Sequence, residues 1–333
     1  FAQPYQESAG VTGRQTSRQA TRQRTRKPSS QRGQVRGRLG NRNRKRNRRH
    51  GPINALKRSW RKANWPTRIK MVLIPTVAVV VVVALVAGLV RFTNWRAQVR
   101  AAEAAQLELT RTYDFNPGNI ISDGQFFNGS AMSQAEVQSF LDTQGGSLAA
   151  MTFDTSNESG EGLCADYTGT KGESAAAIID QSARACKVSQ KVLLTVMQKE
   201  QHLVTAVDPS DYQLMAAMGL NCPDTADCDP AYAGFFRQVY GAAKRYRYYL
   251  EHEEQYGYTA HNLNYIQYHP NAACGGAQVY IENKATALLY IYTPYQPNIA
   301  ALAAGNGTGD SCSSYGNRNF ALIYTSWFGS PRS

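Results

Sequence analysis

The segment 188–204 carries a clear pattern of hydrophobic and polar positions. Its large apolar residues recur three and four positions apart, which places them on one face of a helix: Leu193, Val196, Met197, Leu203 and Val204. Polar residues hold the other side: Lys191, Thr195, Gln198 and His202. The pattern predicts an amphipathic helix whose apolar stripe faces a protein core.

One acidic residue falls on this apolar stripe. Glu200 lies four residues after Val196 and four before Val204, near the predicted end of the helix. A carboxyl group held against apolar neighbours keeps its proton to higher pH and can act as a general acid. A Glu this close to a helix end can also turn outward into solvent. The pattern therefore leaves both interpretations open.

Helix start signals recur along residues 114–333. Ser133 with Glu136 forms a capping box before one helix. Asp229 followed by Pro230 predicts the start of a long aromatic helix over 231–254. Apolar spacing predicts further helices over 174–186, 283–292 and 319–328.

A hairpin is the one strand signal of this region. Residues 258–268 and 278–282 are rich in Tyr, Ile and Val with partial alternation, and the turn-forming sequence H-P-N-A-A-C-G-G separates them. Because helical segments dominate the rest, we predict an α+β fold, mostly α, with a small β hairpin lobe.

The most apolar stretch is 71–90, which holds twenty residues without a charge. As a helix it spans about 30 Å, the thickness of a bilayer's hydrocarbon core. Trp60, Trp65 and Trp95 flank it, as aromatic residues do at membrane interfaces. We predict a transmembrane signal anchor; a cleaved signal peptide is the competing interpretation. An Ala-rich helical stalk over 91–113 follows it, and then a folded domain over 114–330.

The charge of the chain is concentrated before this stretch. The net charge is +13, but residues 1–70 carry 21 of the 37 Lys and Arg and only one of the 24 Asp and Glu. These residues also have few large apolar side chains, so we predict a disordered basic tail. The cation excess predicts that the tail is cytoplasmic and the domain extracellular. Anionic lipid headgroups or nucleic acid are the candidate partners of the tail.

All six cysteines follow the apolar stretch, which indicates an oxidising compartment. Chain order suggests the pairs Cys164 with Cys186, Cys222 with Cys228, and Cys274 with Cys312, although six cysteines allow fifteen pairings. No C-x-x-C pair or His spacing suggests a metal site, so no metal and no cofactor are predicted. Asp224, Asp227 and Asp229 could gather a cation, but turns and a helix cap explain them equally well.

A resemblance to known families rests on the order of several motifs. The helix bearing Glu200 precedes A-M-G-L-N-C-P at 217–223, a long aromatic helix, the hairpin, and Y-I-Y-T-P-Y-Q-P-N at 290–298. This order resembles the lysozyme-like superfamily, especially its single-Glu transglycosylase and glucosaminidase branches. F-N-P-G-N-I-I-S-D and C-P-D-T-A-D-C-D are similar to a module of secreted actinobacterial cell-wall proteins, a likeness that spans about 114–330.

The resemblance implies that Glu200 is catalytic. It also implies a substrate groove and a late site tyrosine, formed by Ala217, Gly219, Leu220 and either Tyr292 or Tyr295. The chain departs from the family pattern in two places. Gln201-His202 stands where Ser-Gly usually follows the Glu, and Asn221-Cys222 stands where Met-Gln usually follows Gly-Leu.

The function predicted from these features is cleavage of peptidoglycan glycan strands by a membrane-anchored, lysozyme-like domain. Glu200 would act as general acid and then base, as a lytic transglycosylase, muramidase or glucosaminidase. The rival prediction is a non-catalytic module that holds cell-wall glycan or acts as an adhesin.

Overall fold

A computed structural model describes residues 51–223 and 228–333. Predictions for residues 1–50, and for Asp224 and Asp227, lie outside the described residues. The chain divides into two compact units between Arg91 and Phe92. Each unit is described by itself below.

The N-terminal unit contains helix α1 (Pro52–Lys62) and the first part of helix α2 (Trp65–Tyr113). Residues 51–70 therefore differ from the prediction of disorder. Pro52 stands at the start of α1, where its fixed φ suits a helix and its missing N–H costs nothing. The run 71–90 lies within α2. Among the described residues, α2 is the one helix that is long enough and apolar enough to cross a membrane. That property is compatible with a signal sequence or an anchor.

Over its described residues, the second unit is mostly helical with two small antiparallel sheets. Strands β1 (Thr152–Phe153) and β2 (Glu173–Ser174) pair with each other, as do β3 (Asn262–Gln267) and β4 (Gly276–Ile281). Its helices after α2 are α3 (Asp123–Phe126), α4 (Gln134–Gln144), α5 (Ala175–Cys186), α6 (Gln190–Gln201), α7 (Asp211–Met215), α8 (Phe235–Glu251), α9 (Lys284–Tyr292), α10 (Ile299–Ala303) and α11 (Gly316–Phe328). The predicted α+β class, mostly α, is confirmed, as is the hairpin.

The core forms where α5 packs against α8 and α4, and where α6 packs against α11. The predicted capping box opens α4, since the Glu136 carboxylate accepts a hydrogen bond from the Ser133 N–H at 2.7 Å. Ser174 caps α5 by accepting from the Ala177 N–H. The largest fully buried side chains are aromatic: Tyr246, Tyr290, Tyr324, Phe126 and Phe320.

The aromatic helix α8 begins four residues later than predicted. The Asp229 side chain accepts a hydrogen bond from the Ala231 N–H at 3.0 Å, so it closes a local turn instead of capping a helix. The chain then passes through Gly234 at φ 101°, a left-handed backbone that glycine tolerates, and its N–H donates to the Met215 carbonyl. The Asp-Pro pair thus marks a turn, and α8 starts at Phe235.

The last turns of α2 dock onto the hairpin. The Gln106 side chain is 3% exposed, and its amide accepts from the Tyr280 N–H at 2.8 Å and donates to the Tyr280 carbonyl at 3.2 Å. Gln106 thereby satisfies the edge of β4 as a neighbouring strand would. Gly118 leaves the space that this side chain fills. Part of the segment expected to be a stalk is therefore in contact with the hairpin.

All six cysteines form disulfide bonds, in the pairs that chain order suggests. Cys164–Cys186 ties the loop after β1 to the end of α5. Cys222–Cys228 closes a short ring before α8, and Cys274–Cys312 joins the hairpin loop to the loop before α11.

The buried tyrosines make the domain sensitive to alkali. Burial raises the pKa of Tyr249, Tyr258 and Tyr324 to about 12, and that of Tyr246 well above 10. Above pH 10 the unfolded chain releases these protons while the native state keeps them, so the free energy of unfolding falls as pH rises. We expect tyrosinate absorbance to appear together with loss of helical circular dichroism. A full tyrosinate signal near pH 10 with the helical signal retained would contradict this prediction.

Candidate functional site

A cleft of about 390 Å³ opens in the second unit beside the end of α6. Its walls are the end of α6, the turn after α7 that contains Gly219, the segment after α9, and two loops joined by a disulfide bond. Its lining residues are Lys199, Glu200, Gly219, His269, Pro270, Tyr292, Thr293, Pro294, Tyr295, Ser313, Ser314, Tyr315, Gly316 and Asn319. Three of the predicted site regions thus meet in one cavity.

Glu200 lies in the last turn of α6. The predicted apolar stripe of this segment is fully buried, which fixes the rotation of the helix, but Thr195 is also buried and bonds to the Lys191 carbonyl. The Glu200 side chain is 22% exposed and forms an ion pair with the Lys199 ammonium. The expected apolar surroundings of Glu200 are therefore replaced by a cation on one side and the cleft on the other.

Lys199 is a functional candidate that the sequence did not reveal. Its side chain is only 7% exposed, and its Nζ donates to Thr293 Oγ1 at 3.0 Å and lies 5.6 Å from the centre of the Tyr292 ring. Lysine is seldom buried unless it is paired. Here the carboxylate, the hydroxyl and the aromatic face together stabilise its charge.

Gly219 lies directly against Glu200. Its φ of 68° favours glycine, and a Cβ added there would come within 3.3 Å of the Glu200 Cδ and 3.4 Å of Oε2. A larger residue would crowd the carboxylate and strain the turn. The glycine therefore sets how closely the turn approaches Glu200.

Ala217 and Leu220 do not line the cleft. Both are buried in the core beneath it. They belong to the same turn as Gly219, so their contribution to the site is to hold that turn in place.

Gln238 on α8 holds the turn that contains Gly219. The side chain is fully buried, and its Oε1 accepts from the Met218 and Leu220 N–H groups at 3.1 and 3.0 Å. Its Nε2 donates to the carbonyls of Leu220 and Tyr232 at 2.9 and 2.8 Å. Four backbone groups thus depend on one amide, which positions Gly219 beneath the carboxylate.

The two predicted tyrosines both reach the cleft but differ in role. Tyr292 is buried, its hydroxyl donates to the Met218 carbonyl, and its ring stacks on Tyr246 at 5.1 Å between centroids. Tyr295 is half-buried, and Asn317 donates to its carbonyl at 3.0 Å. Tyr292 therefore supports the cleft floor, and Tyr295 offers more surface to a ligand.

Tyr246 lies behind the cleft. Its hydroxyl is buried and has no hydrogen-bond partner among the described residues. Burial first, and then the charge of Glu200, raises the pKa of Tyr246 well above 10. The phenol therefore remains protonated close to the candidate catalytic carboxylate.

Two loops distant in sequence complete the cleft. His269 and Pro270 come from the hairpin loop, and Ser313, Ser314 and Tyr315 come from the loop before α11. Cys274–Cys312 joins these loops. The guanidinium of Arg318, in the first turn of α11, lies 4.4 Å from the centre of the Tyr315 ring, which orients that ring. No motif predicted that this loop would face Glu200.

Glu200 is the single carboxylate among the described residues that line the cleft. Asp208 and Asp211, the acidic residues just before the turn that contains Gly219, are exposed and outside the lining. Asp229 is also exposed, and its side chain accepts a hydrogen bond from the Ala231 N–H within its own turn. Within residues 51–223 and 228–333, no three His, Cys, Asp or Glu side chains are grouped as metal ligands.

The molecule thus contains a disulfide-bonded, mostly α domain with an aromatic cleft built around one Glu–Lys pair. A family profile described as "LasA, N-terminal domain" matches residues 119–333. This is more than half of the sequence, and the chain belongs to that family. No curated protein and no solved structure matches the chain.

Proposed function

We propose that this is a membrane-anchored protein of the cell envelope whose cleft binds peptidoglycan glycan strands and cleaves them with Glu200. The observation that carries the proposal is the placement of one carboxylate in a cleft that also contains Tyr292, Tyr295 and Tyr315. Aromatic rings suit the apolar faces of sugar rings, and a carboxyl group can transfer a proton to a glycosidic oxygen. Membership of the LasA N-terminal domain family supports a secreted, cell-wall-related protein.

The anchor and its orientation are part of this proposal. The uncharged run 71–90 supports a single membrane span. The Lys and Arg excess of residues 1–70 supports a cytoplasmic N-terminus. Three disulfide bonds after the span support an oxidising, extracellular location for the domain.

A single carboxylate favours lytic transglycosylation over hydrolysis. Glycosidases that use water employ two carboxyl groups flanking the bond. With one, Glu200 donates its proton to the glycosidic oxygen as the bond to C1 breaks. It then takes the proton of the sugar's own C6 hydroxyl as that oxygen bonds to C1. The products are a 1,6-anhydro sugar and a shortened strand, and Glu200 regains its proton.

The Lys199 ion pair sets a condition on this mechanism. Because the Lys199 ammonium contacts the Glu200 carboxylate, a bound glycan has to separate the two side chains before Glu200 can reach the glycosidic oxygen. Thr293 Oγ1, 3.0 Å from Lys199 Nζ, is a hydrogen-bond partner that can keep the ammonium in place after the separation.

A second candidate function is glycan binding without cleavage. The intact Glu–Lys pair favours it, because both charged groups line the cleft and can bind sugar hydroxyls without any cleavage.

The masses of released muropeptides test the proposal. The full chain, reconstituted in detergent, is incubated with purified peptidoglycan, and the masses of the soluble products are measured by mass spectrometry. We expect 1,6-anhydro products, which are lighter than hydrolysis products by one water. Reducing ends would instead point to a two-carboxylate hydrolase. Saturable binding without products supports the binding function, and the absence of both binding and products overturns the proposal.

A further inference from the structure

Helix α1 has an apolar face that is largely exposed among the described residues. Ile53, Leu56 and Trp60 recur at positions i, i+3 and i+7, so they lie along one side of the helix. Their exposed fractions are 69%, 67% and 42%. A solvent-exposed apolar stripe of this kind is typical of a surface that contacts a membrane or another protein.

The rest of α1 is strongly basic. Lys57, Arg58, Arg61 and Lys62 lie on the remaining sides, and the helix contains no Asp or Glu. A helix with an apolar face and a cationic flank is typical of segments that lie in the plane of a membrane interface. Its positive charge complements the negative surface potential of an anionic lipid leaflet, which an ordinary protein groove does not have.

The position of α1 along the chain favours the same partner. Only Ala63 and Asn64 separate α1 from α2, and the uncharged run begins six residues into α2, about 9 Å along its axis. That distance is comparable to the depth of a lipid headgroup layer.

Arg68 links the two helices. Its Nε donates to the Trp60 carbonyl at 3.1 Å, and its guanidinium lies 5.9 Å from the centre of the Trp60 ring. The contact holds the C-terminal end of α1 next to the first turn of α2, where the headgroup layer would lie.

We propose that α1 lies flat in the headgroup layer of an anionic leaflet, with Ile53, Leu56 and Trp60 inserted among the acyl chains and the four cations contacting lipid phosphates. The inference rests on the proposed membrane anchor. It adds a second, lipid-selective contact to the span itself.

Spin labels at three introduced cysteines test this arrangement in the full chain. All six native cysteines are disulfide-bonded, so a new thiol can be labelled selectively. Leu56→Cys reports the apolar face, Ala55→Cys reports the opposite side without removing a cation, and Val83→Cys reports the centre of the span. The protein is reconstituted into vesicles of phosphatidylcholine with phosphatidylglycerol, and label exposure to oxygen and to a water-soluble quencher is compared.

We expect the Leu56 label to be accessible to oxygen and protected from the aqueous quencher, the Ala55 label to show the reverse, and the Val83 label to be buried in lipid. Replacing Lys57 and Arg61 by Gln should weaken insertion of the Leu56 label about five-fold for each cation in anionic vesicles, and little in phosphatidylcholine alone. A lipid-buried Val83 label with a water-exposed Leu56 label overturns the α1 inference while leaving the anchor intact. A water-exposed Val83 label overturns the anchor itself. Protection of the Leu56 label by a second copy in detergent, without lipid, would assign the face to a protein contact instead.

Discussion

Glu200→Gln is expected to lower glycan cleavage by about 10²–10⁴-fold, the usual contribution of a general acid. Glutamine keeps the shape of the side chain and its hydrogen-bonding reach, but it has no proton to transfer to a glycosidic oxygen. Gly219 leaves room for either side chain, so the fold and the cleft should be preserved. The rate of muropeptide release and the affinity for insoluble peptidoglycan are measured on the same preparations.

Glu254→Gln is the matched control. Glu254 follows α8, is exposed and lies outside the cleft, so its loss should leave both cleavage and binding unchanged. Cleavage at the wild-type rate by Glu200→Gln would exclude Glu200 as the acid. Tighter glycan binding by the variant would accord with the ion pair having to open, since a neutral amide releases Lys199 more easily.

Gln238→Met is expected to destabilise the domain by about 2–5 kcal/mol. Methionine fills a similar volume but makes none of the four hydrogen bonds of the Gln238 amide. Each backbone group left buried without a partner costs about 1–3 kcal/mol, and partial relaxation limits the total. Unfolding by denaturant, followed by circular dichroism, measures the change in the free energy of unfolding.

Gln255→Met provides the comparison for this experiment. Gln255 is exposed, so the same chemical change there should alter stability by no more than about 0.5 kcal/mol. Because Gln238 positions the turn that holds Gly219, its variant should also bind glycan more weakly under conditions in which it remains folded. Equal stability of the two variants would mean that the turn is held by other contacts.

Local sequence signals predicted much of the helical framework. The Ser133–Glu136 box and the Ser174 cap act within one helical turn, so these helix starts can be predicted without knowledge of the fold. The Asp229–Pro230 pair misled because the same side-chain acceptor can close a turn or cap a helix. Gly234 and the bond from its N–H to Met215 decided between them, and that bond depends on tertiary structure.

The candidate site was only partly predictable. Glu200 was identified because a carboxylate on an apolar stripe conflicts with burial, and Gly219 and the tyrosines followed from the motif resemblance. Lys199 carries no sequence signal, because a lysine beside a glutamate is ordinary. Its burial depends on Thr293 and Tyr292, which follow some ninety positions later. Gln238 was likewise hidden, since a glutamine on a helix gives no sign that it will hold a distant turn.

The bond between Cys274 and Cys312 joins the two loops that line the cleft. One of its cysteines follows His269 and Pro270, and the other precedes Tyr315, so the two sides of the cavity are joined through sulfur. Such a bond forms in an oxidising compartment and is disfavoured in a reducing cytosol. Under the proposed export of the domain, a newly made chain forms this bond only on the oxidising side of the membrane, so the proposed cleavage would start only there.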